Sequence, residues 1–371
     1  MAGLAVEAIQ GTSDEAKALR RHVETELDAH HSPDLFHGQH EVSKATSLHL
    51  ARQVKQAADT VTTARAHWDT ARAAQQAYED QSPRPCGRPP AFATRIQAAL
   101  TDLVQAEADQ AQAQARHSEA RELIGELGVL YHPYDLENGQ AQPVARVASR
   151  FEDVWTRLRR LAEAAELPTR AREHLAKAQR LTIQWLATIT FFFATLQAKV
   201  EALALAPTVE TAVVEQLIPA LYLERVAARS TRAEPRHRLR ALSRRLLEPL
   251  RQPDHALNAL PPEVRQRLEQ VAGECADLFQ RSSSCVEGRN GQLSLHHHGR
   301  HRLSDRKLAA LTAVHNFHIR RADGTTAAQR FFGRAHEPLL EQVIARVPLP
   351  PRPARRRPRP PKPSYLMPVA A

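Results

Sequence analysis

The decapeptide Gln81-Ser-Pro-Arg-Pro-Cys-Gly-Arg-Pro-Pro90 constrains the fold more than any other stretch of this chain. Proline lacks an amide hydrogen and clashes with the preceding helical turn, so no helix crosses this segment. On either side lie residues 41–80 and 91–127, both polar and nearly free of glycine. The first places Leu48, Val54, Ala58, Val61 and Ala64 at roughly three-to-four spacing, which is the signature of a helix face. The second is rich in Ala and Gln, with few large apolar side chains. Two long helices joined by a turn resemble an antiparallel coiled hairpin with a thin seam.

Helix-forming residues dominate the chain beyond residue 127 as well: Ala, Gln, Arg, Glu and Leu are abundant, and only 13 glycines occur in 371 residues. Further helices are expected at about 143–166, 169–205, 208–230, 236–250 and 262–280, with breaks at Pro168, Pro207, Pro235 and Pro261–Pro262. The most apolar stretch, Ile183 to Leu196, contains Gln184 and three threonines. It is shorter than the roughly 20 residues of a membrane span and reads as a buried central helix. The start has none of the successive charged, apolar and small-residue regions of a signal peptide. Three scattered cysteines, Cys86, Cys275 and Cys285, suit neither a disulfide framework nor a cysteine-based zinc site. The expectation is a soluble intracellular protein.

The two ends differ from this middle. Leu4 to Ile9 alternates weakly, as a strand does, and Gly11-Thr-Ser-Asp-Glu15 signals a helix start, with Thr12 and Glu15 spaced as a capping box. Ser32 to His37 is a second extended piece. The first forty residues therefore read strand–helix–strand, a unit too small to bury its own faces. Past residue 280, Ser304 is spaced to cap a helix containing Leu308, Leu311, His315 and Phe317, and Thr326 with Gln329 to cap another. From Pro348 to Pro363 proline recurs at about every second position among six Lys/Arg and no acid, a composition that favours extended, disordered chain.

Charge divides along the same line. Residues 281–371 hold 17 basic and 5 acidic side chains, a net of +12, against 34 and 36 in residues 1–280, a net of −2. A uniformly basic, histone-like protein is excluded, and a local anionic partner surface is indicated.

Several residues bear on chemistry, each with a plain alternative. Asp14, after a strand at a helix start, is either a site carboxylate or a first-turn acid favoured by the helix dipole. Glu287 is either a site carboxylate or the partner of Ser284 in an S-x-x-E capping box. Asp34 and His37 form a D-x-x-H pair that also suits turn and capping roles. His296, His297, His298 and His301 invite a zinc reading. Adjacent histidines on a helix point in different directions, however, and no third ligand is evident. Contact with backbone phosphates suits them better.

Together, the stretches GTSDEAKAL, HHSPDLFHGQHEVSKA, SSSCVEGRNGQLSLHHHGRHRLSDRKLAALTAVHNFHIRR and DGTTAAQRFFG resemble parts of a DDE-type transposase. The resemblance is to bacterial insertion-sequence transposases whose ribonuclease-H-like core is interrupted by a long helical insertion. It implies a mainly α chain divided into a partial ribonuclease-H-like core (1–40), a helical insertion (41–280, with the hairpin at about 41–127), C-terminal core helices bearing the catalytic glutamate (281–347) and a Pro/Arg-rich tail (348–371). Asp14 becomes the second catalytic aspartate and Glu287 the catalytic glutamate, both metal ligands, with Asp34 and His37 supporting the site. Arg289, Arg300, Arg302, Arg306 and Lys307 become contacts to DNA phosphates. The chemistry implied is cleavage and transfer of DNA strands with Mg²⁺ or Mn²⁺, two ions about 3.5–4 Å apart in a complete enzyme. The partners are transposon ends and target DNA, not a membrane, with a homo-oligomer as a further expectation. The expected location is the bacterial cytoplasm, on the nucleoid.

Such a site also needs a first aspartate upstream, and no Asp precedes Asp14. The expectation is therefore a truncated copy, inactive alone. Two other readings stand beside this one. A non-enzymatic helical scaffold or DNA-binding protein accounts for the middle and the basic tail, and a zinc hydrolase built on the histidine cluster ranks last because no general-base motif accompanies it.

Overall fold

In the computed structural model, residues 7–13, 15–83, 86–279, 281, 293–294, 298, 303–321 and 323–346 are described. The chain is mainly α-helical and forms two compact units, Met1–Ser284 and Cys285–Ala371.

The first unit begins with β1 (Gln10–Ser13), α1 (Lys17–Arg21, continued by a π-helical turn at His22–Glu26) and β2 (His30–Pro33). The strands pair in parallel, from Gln10 opposite His30 to Ser13 opposite Pro33, as a crossover connection requires. The sequence places the first strand at Leu4–Ile9 and a helix start at Thr12. Residues 4–6 lie outside the described residues, residues 7–9 are not in a strand, and the described strand is Gln10–Ser13. Thr12 is extended within β1, and the helix starts only after Ala16, without a side-chain cap. Pairing with β2 commits the backbone of residues 10–13 to the ladder, so the Thr12–Glu15 capping box does not form.

After β2, Asp34 caps α2 (Leu35–Glu79) by accepting a hydrogen bond from the Phe36 amide at 2.8 Å. This helix therefore starts six residues before the expected position 41. It runs antiparallel to α3 (Phe92–Leu130), and the proline-rich turn lies between them. The hairpin has its large apolar core near its base, where Val42, Ala45 and Leu50 pack in one cluster with Leu123, Leu127 and Leu130. Farther out, a separate small cluster of Ala64, Leu103 and Ala106 forms the thin seam.

The base packs on α4 (Val144–Ala164) and α5 (Thr169–Glu201). Val147, Phe151, Val154, Trp155 and Leu158 form one buried face of α4, the spacing of an amphipathic helix. Leu181, Trp185, Ile189, Phe192 and Leu196 do the same in α5. Among the described residues α5 alone is long and apolar enough to cross a membrane, but this face lies in the core, with Trp185 against Tyr131 and Phe151. Gly38 lets α2 approach it: a Cβ there would meet the Trp185 ring at 2.4 Å.

Then follow α6 (Pro207–Ala212), a π-helical turn at Val213–Leu217, α7 (Ile218–Arg229), α8 (Ala233–Leu247) and α9 (Pro262–Asp277). Pro207 and Pro262 sit at helix starts, where the missing N–H costs nothing. Pro235 does not break the chain as expected, because it falls in the first turn of α8.

In the second unit, α10 (Asp305–Phe317) starts at Ser304, whose hydroxyl accepts from the Lys307 amide. The next helix, α11 (Ala327–Phe332), opens with the complete Thr326–Gln329 capping box and ends at left-handed Gly333. A last helix, α12, spans Leu339–Arg346.

Candidate functional site at the strand ends

In parallel α/β units, ligand-binding groups gather beyond the carboxyl ends of the strands. Here those ends are Ser13 and Pro33. The Asp34 amide donates to the Ser13 carbonyl at 3.1 Å, and the Leu35 amide to the Arg281 carbonyl at 2.9 Å. Three distant segments thus meet: the residue before Asp14, the Asp34 cap, and the chain leaving α9 toward Glu287.

Beside them, the Ser13 hydroxyl lies 2.8 Å from Nε2 of buried His31, and Glu15 Oε1 lies 4.0 Å from the other ring nitrogen. Glu15 Oε1 is itself buried without a hydrogen-bond partner. Its nearest charged neighbour is the His31 ring, and the rest of the Glu15 carboxyl is partly exposed. A carboxylate oxygen is the type of donor that Mg²⁺ or Mn²⁺ takes. Among the described residues no group of three or more His, Cys, Asp or Glu is placed to hold a metal.

The other side of the junction is a buried polar cluster. Arg281 donates to Nε2 of His132 and, at 2.7 Å, to the Gly128 carbonyl. Guanidinium only donates, so Nε2 of His132 is the acceptor and its Nδ1 bears the proton. That proton faces the Tyr222 hydroxyl at 2.6 Å. Burial, and then the charge of Arg281, hold His132 well below its ordinary pKa. Burial likewise lowers Arg281, which pairs with no carboxylate among the described residues. This cluster ties Arg281 to α3 through Gly128 and, through His132, to Tyr222 of α7.

Of the residues singled out from sequence, Asp34 is buried as the α2 cap and His37 is half-buried in the first turn of α2, its ring edge-on to Phe36. Arg306 and Lys307 lie exposed or half-exposed in the first turn of α10. Asp14, Glu287, Arg289, Arg300 and Arg302 fall outside the described residues, as do His296, His297, His301 and the 348–371 tail. Sequence reasoning passed over Glu15, His31, His132, Tyr222 and Arg281. Only Glu15 and His31 had a visible signal, their closeness to Asp14 and Asp34. The rest converge from positions 90 or more apart.

A family model described as a family of unknown function, DUF6399, matches residues 213–359, less than half of the chain. No curated protein and no solved structure matches.

Proposed function

We propose that the chain belongs to the machinery of DNA transposition, as a DDE-type polypeptide contributing Asp14 and Glu287 to a metal-dependent strand-transfer site. The observation that supports this reading is the junction of Asp34 and Leu35 with Ser13 and Arg281. Asp14 directly follows Ser13, and Glu287 follows Arg281 by six residues, a span that an extended chain covers in about 20 Å. The parallel pair with its crossover helix suits part of a ribonuclease-H-like core, and the helices between suit an insertion that returns the chain to the strand ends.

In this reading Asp14 and Glu287 would hold divalent ions, with Glu15 as a further oxygen donor and His31 orienting the Ser13 hydroxyl. Only with the first aspartate of a complete enzyme would two such ions activate a nucleophilic hydroxyl and neutralise the leaving oxygen. Arg306 and Lys307, with Arg289, Arg300 and Arg302, would neutralise DNA phosphates beside the reacting strand.

The test is a Mn²⁺ titration followed by electron paramagnetic resonance in the wild type, Asp14→Asn and Glu287→Gln. A site weakened at least tenfold in both variants is expected. A site that ignores both substitutions, or no Mn²⁺ binding at all, overturns the reading. The long hairpin with its thin seam favours a second reading, a non-enzymatic helical scaffold that binds DNA through basic segments. It predicts salt-sensitive DNA binding with no Mn²⁺ site.

A further inference from the structure

The near-neutral charge of residues 1–280 conceals a strongly basic element. Residues 229–251 contain eight arginines (229, 232, 236, 238, 240, 244, 245 and 251) against two glutamates, a net of +6. The remainder of residues 1–280 accordingly carries −8. Most of this charge lies on α8.

The packing of α8 settles which face is left over. Leu239 and Leu242 are buried against Leu223 and Ala227 of α7, with Leu246 beside them. His237, Arg238, Arg240, Ala241, Arg244 and Arg245 are all exposed. Arg240 approaches Glu224 at 3.7 Å. Arg238, Arg244 and Arg245 pair with no carboxylate among the described residues.

We propose that this exposed face of α8 binds the phosphate backbone of duplex DNA. Arginine's planar fork suits phosphate oxygens, and every full cation in residues 229–251 is arginine. Arg238 and Arg245 are seven residues apart, about 10 Å along the axis, which is about three nucleotide steps at 3.4 Å each. A membrane surface suits the helix poorly. An interfacial helix inserts its apolar side, and the leucines of α8 are already packed on α7. Single strands are bound by stacking on aromatic rings, and the exposed face of α8 has no Phe, Tyr or Trp and a single imidazole, His237. The choice of DNA over duplex RNA rests on the proposed function, whereas the phosphate contact follows from α8 itself.

The experiment measures the affinity of the full chain for a random-sequence 25-base-pair duplex from 50 to 300 mM salt. The variant is Arg238→Gln/Arg244→Gln/Arg245→Gln, and an Arg→Lys triple variant at the same positions is the charge-retaining control. Each lost phosphate contact lowers the salt slope by about 0.9. The Gln variant is therefore expected to lose about 2 to 3 units of slope and at least tenfold in affinity at 100 mM salt, while the Lys variant keeps the slope. Gln is a good helix former, and an unchanged thermal melt verifies the fold. An unchanged slope overturns the proposal, as does tighter binding to single strands or to anionic vesicles. Equal binding to duplex RNA overturns the assignment to DNA. Asp14→Asn and Glu287→Gln are expected to leave the slope unaltered, so failure of the metal site and failure of the α8 contact register in separate measurements.

Discussion

Acidification from pH 7 to pH 5 is expected to weaken the first unit through His132. An ordinary imidazole titrates near 6.5, and burial together with Arg281 holds this one well below that value. The folded chain thus keeps His132 neutral at a pH where the unfolded chain takes up a proton. A depressed histidine contributes stability that is present above 6.5 and lost as the pH falls below it. The loss runs at up to about 1.4 kcal/mol per pH unit below 6.5 until the folded-state value is reached. His30, half-buried and stacked on Phe191, shifts in the same direction, so the contribution of His132 has to be isolated by substitution. Glu41 does not interfere, because its carboxyl titrates at about 2. The assay is urea unfolding at pH 7, 6 and 5, read from tryptophan fluorescence, with Trp155 and Trp185 buried in the core. His132→Gln retains a donor and an acceptor for Tyr222 and Arg281. It should cost about 1–3 kcal/mol at pH 7 and lose less stability than the wild type between pH 7 and pH 5. Identical pH dependence in both proteins would refute the reasoning.

Other consequences rest on single contacts. Glu41, nearly buried, accepts from His174 at 2.6 Å and Lys177 at 3.1 Å across α2 and α5. Burial pushes its pKa up, but these hydrogen bonds and the lysine charge outweigh it and bring the carboxyl to about 2. Glu41→Gln should destabilise by about 1–2 kcal/mol at pH 7, discounted for the exposed lysines, and the difference from wild type should vanish as pH falls from 4.5 toward 2. Gly38→Ala drives a methyl into the Trp185 ring. About 1–3 kcal/mol of stability should be lost, with altered tryptophan emission, and an unchanged melt would place α2 farther from α5. Thr326→Ala removes the α11 cap and the 2.7 Å contact to His336. Amide exchange over Ala327–Arg330 should accelerate about fivefold, as the loss of roughly 1 kcal/mol implies.

The helical architecture was legible because its signals are local. Proline at Pro207 and Pro262 marks helix starts, and the Ser304 and Thr326 caps need only three-residue spacing. The first strand was misplaced because its stability is not local. Gln10–Ser13 is polar, has no alternating pattern, and is extended through its pairing with His30–Pro33. The π-helical turns at His22–Glu26 and Val213–Leu217 have no sequence signature and follow from packing. The D-x-x-H spacing singled out Asp34, which the structure shows as the α2 cap, whereas His132, Tyr222 and Arg281 are joined only by the folded chain. The basic face of α8 was hidden for another reason: summing charge over 280 residues cancelled it against the acidic remainder.

The proposed function assigns Asp14 and Glu287 to one divalent cation. Iron-directed backbone cleavage tests it most directly, with Fe²⁺, ascorbate and peroxide cutting the polypeptide wherever it approaches the bound metal. Cuts are expected near residue 14 and near residue 287 in the same protein, both lost in Asp14→Asn and both lost in Glu287→Gln. Cuts near one residue alone, or cuts near one that survive substitution of the other, would contradict it.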